Sequence, residues 1–189
     1  GERGVFFTIT EPLFKLTKNL EGFAFYDKKL IESGMVNIID LRIISERLGL
    51  EAEKYTVEDA GALLDIMKDI PDELDVKRLV MDSITALCYR LQTREMIRDF
   101  IFKLGTSLAV MNCTTLLTSE VPPQTFKFSQ YEIEEFISDG IIFLGDLERK
   151  GDLIRTLQVI KMRGTAHSRT KFAMNISTQR GIELIPLLK

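Results

Sequence analysis

Short apolar runs alternate with amphipathic stretches along most of the chain. Each run is rich in β-branched and aromatic residues and is bounded by polar or turn-forming residues, which is typical of a buried strand. The predicted strands are Gly4–Thr10, Val36–Leu41, Val76–Asp82 and Cys113–Thr118. Between them apolar residues recur at helical spacing, which predicts amphipathic helices. These helices run from Pro12 to about Gly22, from Thr56 through Met67, along the face Ile97, Phe100, Ile101, Leu104 and Leu108, and from Tyr131 to Ser138.

The pattern changes toward the C-terminus, where strands follow one another without helices between them. The predicted strands are Gly140–Gly145, Leu153–Arg163, Phe172–Ile176 and Ile182–Ile185, and a hairpin loop over Glu148–Asp152 joins the first two. We therefore expect an α/β fold with a mainly parallel central sheet flanked by helices and antiparallel strands added at its C-terminal edge. No internal repeat or linker interrupts the pattern, so residues 1–189 are interpreted as one domain.

The composition is that of an ordinary globular domain, with 189 residues, 45% hydrophobic and 28% charged. Cys88 and Cys113 lie in apolar runs and are interpreted as reduced core residues. Together with the single histidine, this argues against a metal cluster. No apolar run is long enough to cross a bilayer and no signal peptide is recognisable, so we expect a cytoplasmic protein without a membrane span.

Charge is distributed unevenly along the chain. The formal net charge of −3 gives no overall reason to expect nucleic-acid binding. From Asp146 to Gly181, however, eight Lys or Arg residues stand against three acidic ones. Such a segment is either a solvated basic face or a site for phosphate groups or an acidic neighbour.

Two acidic residues follow predicted strands. Asp82 ends an apolar strand and should lie at the carboxyl edge of the sheet, where α/β folds bind ligands. Arg78–Ser83 has the form of a Walker B strand, whose acid holds Mg²⁺, although such an Asp can also simply cap the next helix. Glu11 would project over the same edge, where it could orient or deprotonate water, or serve only the dipole of the following helix.

Two further polar stretches could contact a ligand. In Lys161–His167 (KMRGTAH) the two cations point the same way along a strand, and Gly164 allows a turn that exposes Thr165 and the only histidine. This set suits a phosphate and a nucleoside, or it is a surface turn with incidental charges. Thr118–Glu120, at a strand end, could sense a γ-phosphate or a water, or be a plain strand end. No G-x-G-x-x-G dinucleotide motif occurs.

In this order the segments resemble the KaiC-like branch of the RecA superfamily. The resemblance runs from Gly4 to Pro186 and rests on four stretches, of which the last ends in K-x-R-G-T-x-H. These are Gly4–Glu11 (GVFFTITE), Arg78–Ala86 (RLVMDSITA), Glu134–Gly140 (EEFISDG) and Lys161–His167. Each stretch alone is weak, whereas the ordered set is specific.

The resemblance implies a RecA-like ATPase domain that assembles as a ring, usually a hexamer, with ATP between subunits and a protein partner that reads its state. It assigns Asp82 to Mg²⁺ and Glu11 to the attacking water. Lys161 and Arg163 would reach the neighbour's phosphates, and Thr165 and His167 would lie near its nucleoside. The full set expected to bind the nucleotide is Lys161, Arg163, Thr165, His167, Ser83, Thr118 and Ser119.

The sequence departs from the family pattern in two places. Thr10 stands where the family has the first of two acidic residues, which leaves Glu11 as the single candidate base. The strand, phosphate-binding loop and helix that precede Gly1–Gly4 in the family are missing, and no glycine here is followed by Lys. We therefore expect a truncated form of a longer chain, with ATP hydrolysis only if the complete chain supplies that loop.

Two other functions are compatible with the sequence. One is a non-catalytic assembly or interaction module that keeps the fold without binding ATP, which Thr10 and the missing loop favour. The other is a DNA-binding recombinase relative, in which Phe126, Lys127 and Phe128 would stack on or contact single-stranded bases.

Overall fold

A four-stranded parallel sheet forms the centre of the chain in a computed structural model, which describes residues 1–50, 54–122 and 127–187. The sheet order is β2-β1-β3-β4, with every neighbouring pair parallel. Thr8, in β1, stands in register between Asp40 and Asp82, so the carboxyl ends of three strands form one edge. The strands are β1 (Gly4–Thr8), β2 (Val36–Asp40), β3 (Arg78–Asp82) and β4 (Thr114–Leu117).

Seven helices connect or follow these strands in the described residues. They are α1 (Leu13–Leu20), α2 (Lys28–Glu32), α3 (Leu41–Arg47), α4 (Val57–Glu73), α5 (Ile84–Cys88), α6 (Arg94–Val110) and α7 (Glu134–Ile137). Thr56 and Asp59 form a reciprocal capping box that starts α4, as their spacing predicts. Helices α2, α3 and α5 have only five to seven residues and were not predicted, because so short a helix shows no clear periodicity.

Apolar side chains from the sheet and the helices form one core. Phe7 and Met81 from the sheet and Met67 and Leu104 from the helices are 0 to 1% exposed. Cys88 is fully buried and Cys113 is partly buried, and both are free thiols. The predicted apolar face of α6 is confirmed, since four of its five residues are buried and Ile97 packs against them. No helix in the described part of the chain is both long and apolar enough to cross a membrane.

The remaining strands form a second, antiparallel sheet in the order β5-β6-β7-β8. Lys150 and Gly151 alone make the first hairpin turn, and both have a positive φ (54° and 85°), as a tight two-residue turn requires. The predicted five-residue loop over Glu148–Asp152 was therefore wrong, because its outer residues pair across the hairpin. The strands are β5 (Gly140–Arg149), β6 (Asp152–Met162), β7 (Phe172–Ser177) and β8 (Gly181–Pro186).

The two sheets are not hydrogen-bonded to each other, which differs from the single extended sheet expected from the sequence. Among the described strands β4 pairs only with β3, and β5 pairs only with β6. Both free edges carry exposed apolar side chains: Leu116 is 58% exposed and Leu144 is 55% exposed. The antiparallel strands were predicted correctly, but no described strand bridges them to the parallel sheet.

Candidate functional site

The carboxyl edge of the parallel sheet brings Asp82 and Thr118 together. Asp82 is the last residue of β3, and the Thr118 hydroxyl donates a hydrogen bond of 2.6 Å to its Oδ1. The amide of Thr118 donates to the carbonyl of Met81 at 3.0 Å, which extends the β3–β4 pairing to the strand tip. The arrangement leaves Oδ2 of the Asp82 carboxylate without a hydrogen bond to any described residue.

Glu11 lies beyond the same edge. The chain leaves β1 next to β3, where the amide of Ile9 donates to the carbonyl of Asp82 at 2.9 Å. The hydroxyl of Thr8 donates to the carbonyl of Glu11 at 2.6 Å, so the segment turns immediately above the strand. The backbone of Glu11 therefore lies at the same edge of the sheet as Asp82.

The other polar residues at this edge have partners within the chain. Ser83 is 2% exposed and its hydroxyl accepts from the Ala86 amide at 3.4 Å, so it caps α5 and does not face solvent. The Ser119 hydroxyl donates to Glu134 Oε1 at 3.2 Å. Of the three residues that the sequence singled out here, Thr118 is the one exposed beside Asp82.

Lys161 and Arg163 point the same way, as strand alternation predicts, and both meet the segment around α7. The Lys161 ammonium donates to the carbonyls of Glu135 and Ser138, each at 2.7 Å. Burial and then the charge of Arg163 lower the pKa of Lys161 below its ordinary value. The Arg163 guanidinium donates to the Phe136 carbonyl at 2.8 Å and to the Asp139 carboxylate at 3.2 Å, and it stays 53% exposed.

Asp139 shows where this basic pair lies relative to the parallel sheet. It lines a cavity of about 940 Å³ together with residues at the amino ends of the strands, among them Arg3, Arg78 and Thr114. Asp82 stands at the other end of β3, and a five-residue strand spans about 13 Å. Within one chain, therefore, Arg163 reaches toward the amino edge of the sheet and Asp82 marks the carboxyl edge.

Thr165 and His167 lie on an exposed turn after β6. Gly164 has a φ of 68°, the left-handed conformation that a glycine adopts without strain. Nδ1 of His167 lies 3.2 Å from the carbonyl of Thr165. Both side chains are exposed and do not contact Asp82 or Glu11 within the chain.

The residues considered for single-stranded nucleic acid are engaged elsewhere where they are described. Lys127 pairs with Glu132 at 3.3 Å, and the Phe128 ring packs edge-on against Phe143 with the ring centres 5.6 Å apart. Phe126 lies outside the described residues. A base-stacking surface therefore lacks support from Lys127 and Phe128.

Sequence reasoning missed two groups at the carboxyl edge. The Asn19 amide donates to Glu11 Oε1 at 2.9 Å from two turns along α1, and the i, i+8 spacing of the two residues was the available signal. Asp40 ends β2 as Asp82 ends β3, and its carboxylate is bound by the Arg42 guanidinium through bonds of 3.0 and 2.6 Å. The argument that selected Asp82 applies equally to Asp40, which the sequence analysis passed over.

A parallel sheet with an acid at one strand tip and a hydroxyl at the next, accompanied by a separate antiparallel sheet, is compatible with a RecA-like α/β architecture. The family model described as "ATPase: KaiC" matches residues 1–189. The crystal structure of a KaiC-like protein from Pyrococcus horikoshii has a TM-score of 0.80 and 33% identity, covering 98% of this chain and 76% of that one. The chain belongs to the KaiC ATPase family, which confirms the resemblance and the fold class inferred from the motifs.

Curated relatives agree with this assignment. A UPF0273 protein of Methanopyrus kandleri is 33% identical over 189 residues, covering 98% of this chain and 73% of that protein. The circadian clock protein KaiC3 of Synechocystis is 28% identical over 187 residues, covering 99% of this chain. The chain spans 36% of the length of KaiC3 and so corresponds to a part of that protein.

Proposed function

We propose that the complete protein is a KaiC-like ATPase that assembles in a hexameric ring and couples ATP binding or hydrolysis to the regulation of a protein partner. One observation carries the proposal. Glu11, Asp82 and Thr118 share the carboxyl edge of the sheet, whereas Arg163 binds Asp139 toward the amino edge. Acidic and basic halves of a triphosphate site are both present, but on different sides of one chain.

Asp82 fits a Mg²⁺ ion that accompanies ATP. Mg²⁺ prefers hard oxygen ligands and is often held by one or two carboxylates together with phosphates and water. Asp82 supplies such a carboxylate, with Oδ1 fixed by Thr118. When bound, the ion would neutralise charge on the phosphates.

Glu11 is the group proposed to act on the attacking water. The water gives its proton to Oε2 of Glu11, and its oxygen forms a bond to the γ-phosphorus. The bond from that phosphorus to the bridging oxygen breaks, and the electron pair leaves with ADP. With Thr10 in place of a second acid, one carboxylate carries this role, and we expect slow turnover.

Lys161 and Arg163 of one copy would contact the phosphates bound by a neighbouring copy. Within one chain Arg163 points toward the amino edge and Asp82 marks the carboxyl edge, about a strand's length away, so Arg163 is proposed to reach phosphates held beside the Asp82 of another copy. Arg163 can exchange partners at little cost, because its ion pair with Asp139 is exposed on both sides, at 53% and 86%, and exposed pairs are worth about 0–1 kcal/mol. Thr165 and His167, on the exposed turn beside them, would face the nucleoside.

The open edges of β4 and β5 support the proposal that the complete domain contains a further strand, followed by the phosphate-binding loop and a helix. A strand placed there would pair with both edges and cover Leu116 and Leu144. Burying apolar side chains contributes about 25 cal/mol per Å². Leu116→Lys should therefore destabilise the complete protein but leave the 189-residue chain nearly unchanged, in thermal melts of both forms.

Leu153→Lys is the matched control, because Leu153 is 71% exposed on β6, away from the free edge of β5. Equal melting temperatures for wild type and Leu116→Lys in the complete protein would contradict the additional strand.

The function itself is tested by ATP binding and turnover in the complete protein. Arg163→Ala should lower turnover by about 10³-fold or more, the contribution of an arginine supplied to the phosphates. Arg155→Ala removes a charge from β6, the strand that precedes Arg163, and should leave turnover unchanged. Mixing Arg163→Ala with Glu11→Gln subunits should restore part of the activity, since intact halves then meet at some interfaces. Tight ATP binding and turnover insensitive to Arg163→Ala would refute the role in trans.

A non-catalytic assembly module is the second candidate, and the Lys161 contacts favour it. The ammonium of Lys161 is already bound by two carbonyls of its own chain and is not free for a phosphate. This function predicts ring assembly by the complete protein without measurable ATP affinity. Isothermal titration with Mg²⁺-ATP separates the two candidates.

A further inference from the structure

The backbone of Glu11 is anchored by a buried side chain. Thr8 is 2% exposed and is the last residue of β1, where it stands in register between Asp40 and Asp82. Its hydroxyl donates to the carbonyl of Glu11 at 2.6 Å. The donor and the acceptor are three positions apart in the sequence, so this bond closes the turn that carries Glu11 over the sheet edge.

The carboxylate of Glu11 is anchored from the other side, by α1. The Asn19 amide donates to Oε1 at 2.9 Å, and the Lys15 ammonium lies 3.8 Å from the same oxygen. Oε2 has no hydrogen bond or ion pair to any residue in the described ranges. The side chain of Glu11 is 30% exposed, so it is partly open to a ligand or a water.

We infer that Thr8 and Asn19 are positioning residues for Glu11, an inference that rests on the proposed ATPase function. Thr8 fixes where the backbone of Glu11 leaves the sheet, and Asn19 fixes the rotation of the carboxylate by holding Oε1. Together they direct Oε2, the oxygen that accepts the proton, over the edge that carries Asp82. Neither residue touches the reacting atoms. Their effect is to reduce the number of conformations in which Glu11 points away from the attacking water.

Asn19 permits a test in which loss of stability does not mimic the expected effect. Ala is a better helix former than Asn, so Asn19→Ala should not weaken α1. We expect kcat of the complete protein to fall by roughly ten- to a hundredfold, which does not exceed the 10²–10⁴-fold that a general base contributes. The Kd for ATP should stay within about twofold of the wild-type value, because the substitution affects the reaction and not the binding of ATP. Asn19→Asp, which has the same shape but no N–H donor when ionised, should lower kcat at least as much.

Thr8 is tested by a pair of substitutions that differ in the hydroxyl. Thr8→Val keeps the shape of the side chain but removes the donor, whereas Thr8→Ser keeps the donor. Turnover should fall in Thr8→Val and be largely restored in Thr8→Ser, although Ser loses a buried methyl group. The opposite order would show that Thr8 acts through packing and would overturn its assignment.

A double substitution decides whether Asn19 acts through Glu11. In a Glu11→Ala background the residual turnover should not change further on Asn19→Ala, since nothing is left to position. A further loss of similar size in that background would mean that Asn19 has a separate structural role. Asn175→Asp, at an exposed position on β7 outside the hydrogen bonds of Glu11, is the chemical control for Asn19→Asp and should have wild-type turnover.

The outcomes separate this inference from the function on which it depends. No ATP turnover by the complete wild-type protein would overturn both. Turnover that is lost in Glu11→Gln but unchanged in Asn19→Ala, Asn19→Asp and Thr8→Val would leave the ATPase proposal standing and overturn the positioning roles. Turnover unaffected by Glu11→Gln would remove the base and the positioning residues together.

Discussion

The ion pair between Asp40 and Arg42 offers a quantitative test of how the sheet edge is held. The side chain of Asp40 is 2% exposed, while that of Arg42 is 37% exposed. The guanidinium donates to Oδ1 at 3.0 Å and to Oδ2 at 2.6 Å, and the Arg42 amide donates a third bond to Oδ1 at 3.0 Å. Arg42→Met would retain the apolar part of the side chain and remove both guanidinium bonds.

Removing one partner of a fully buried ion pair costs about 3–5 kcal/mol, because the other charge is left buried and uncompensated. Arg42 is more than a third exposed, so solvent already screens part of the pair and a cost of about 2–3 kcal/mol is expected. For a domain of this size, each kcal/mol lowers Tm by about 2–4 °C. Urea and thermal unfolding of the complete protein at pH 7 would measure the change.

The pH dependence supplies the sharper check. Burial raises the pKa of Asp40, but the bonds from Arg42 outweigh it, so the pKa lies below its ordinary value of 3.8. The stabilisation from this carboxylate is therefore present above pH 3.8 and is lost as pH falls through the lowered pKa. Arg42→Met removes the guanidinium bonds and charge that lower the pKa of Asp40 while the burial that raises it remains, so the pKa should rise and protonation on acidification should relieve part of the deficit.

Asp40→Asn should recover part of the lost stability when it is added to Arg42→Met, because a neutral amide tolerates burial better than an unpaired carboxylate. A loss below about 1 kcal/mol at pH 7, the range of an exposed pair, would refute this account. A deficit that stays constant from neutral pH to the acidic range would refute it as well.

Two further predictions concern packing and thiol reactivity. A Cβ at Gly105 would overlap Ile137, so Gly105→Ala should destabilise the protein by about 1–3 kcal/mol through overpacking. Gly61 lies in another helix with open space around it, so Gly61→Ala should stabilise the protein by about 0.5–1 kcal/mol. Urea unfolding measures both changes, and a stabilised Gly105→Ala would contradict the packing of α7 on α6. Burial, and then the charge of Glu134, raises the pKa of Cys88 to about 12. The stabilisation contributed by the buried neutral thiol is therefore complete below pH 9.0 and is lost as the pH rises toward 12. Partly buried Cys113 should therefore be alkylated first at pH 8, and mass spectrometry showing Cys88 labelled first in the folded protein would exclude this reading.

The sequence predicted the parallel sheet well because its signals are local. Each strand is a short apolar run, and the helix that starts at Thr56 is indicated in the sequence by the spacing of its capping box. The joint position of Glu11 and Asp82 followed from one rule, that the carboxyl ends of parallel strands meet at one edge. Helix α3 was not predicted because it begins directly after β2, and Leu41, its first residue, was therefore interpreted as the last residue of the strand.

The partners of the site residues could not be predicted in the same way. Whether Lys161 faces a phosphate or the carbonyls around α7 depends on how the antiparallel sheet sits against the segment before β5. No pattern within the sequence of β6 contains that information. The bond from Asn19 to Glu11 depends on side-chain rotamers two helical turns apart, which spacing permits but does not require.

Under the proposed function, the separation of the acidic and basic halves couples nucleotide affinity to assembly. One copy offers Asp82 and Glu11, and a second must bring Arg163, so a nucleotide held by both favours the assembled state by mass action. Conversely, dilution that separates the copies should weaken nucleotide binding. In this coupling Arg163 is the cation that can change partners, because its ion pair with Asp139 is exposed on both sides. Lys161 would have to give up the carbonyls of Glu135 and Ser138 to reach a phosphate, so nucleotide binding across two copies should depend more on Arg163 than on Lys161.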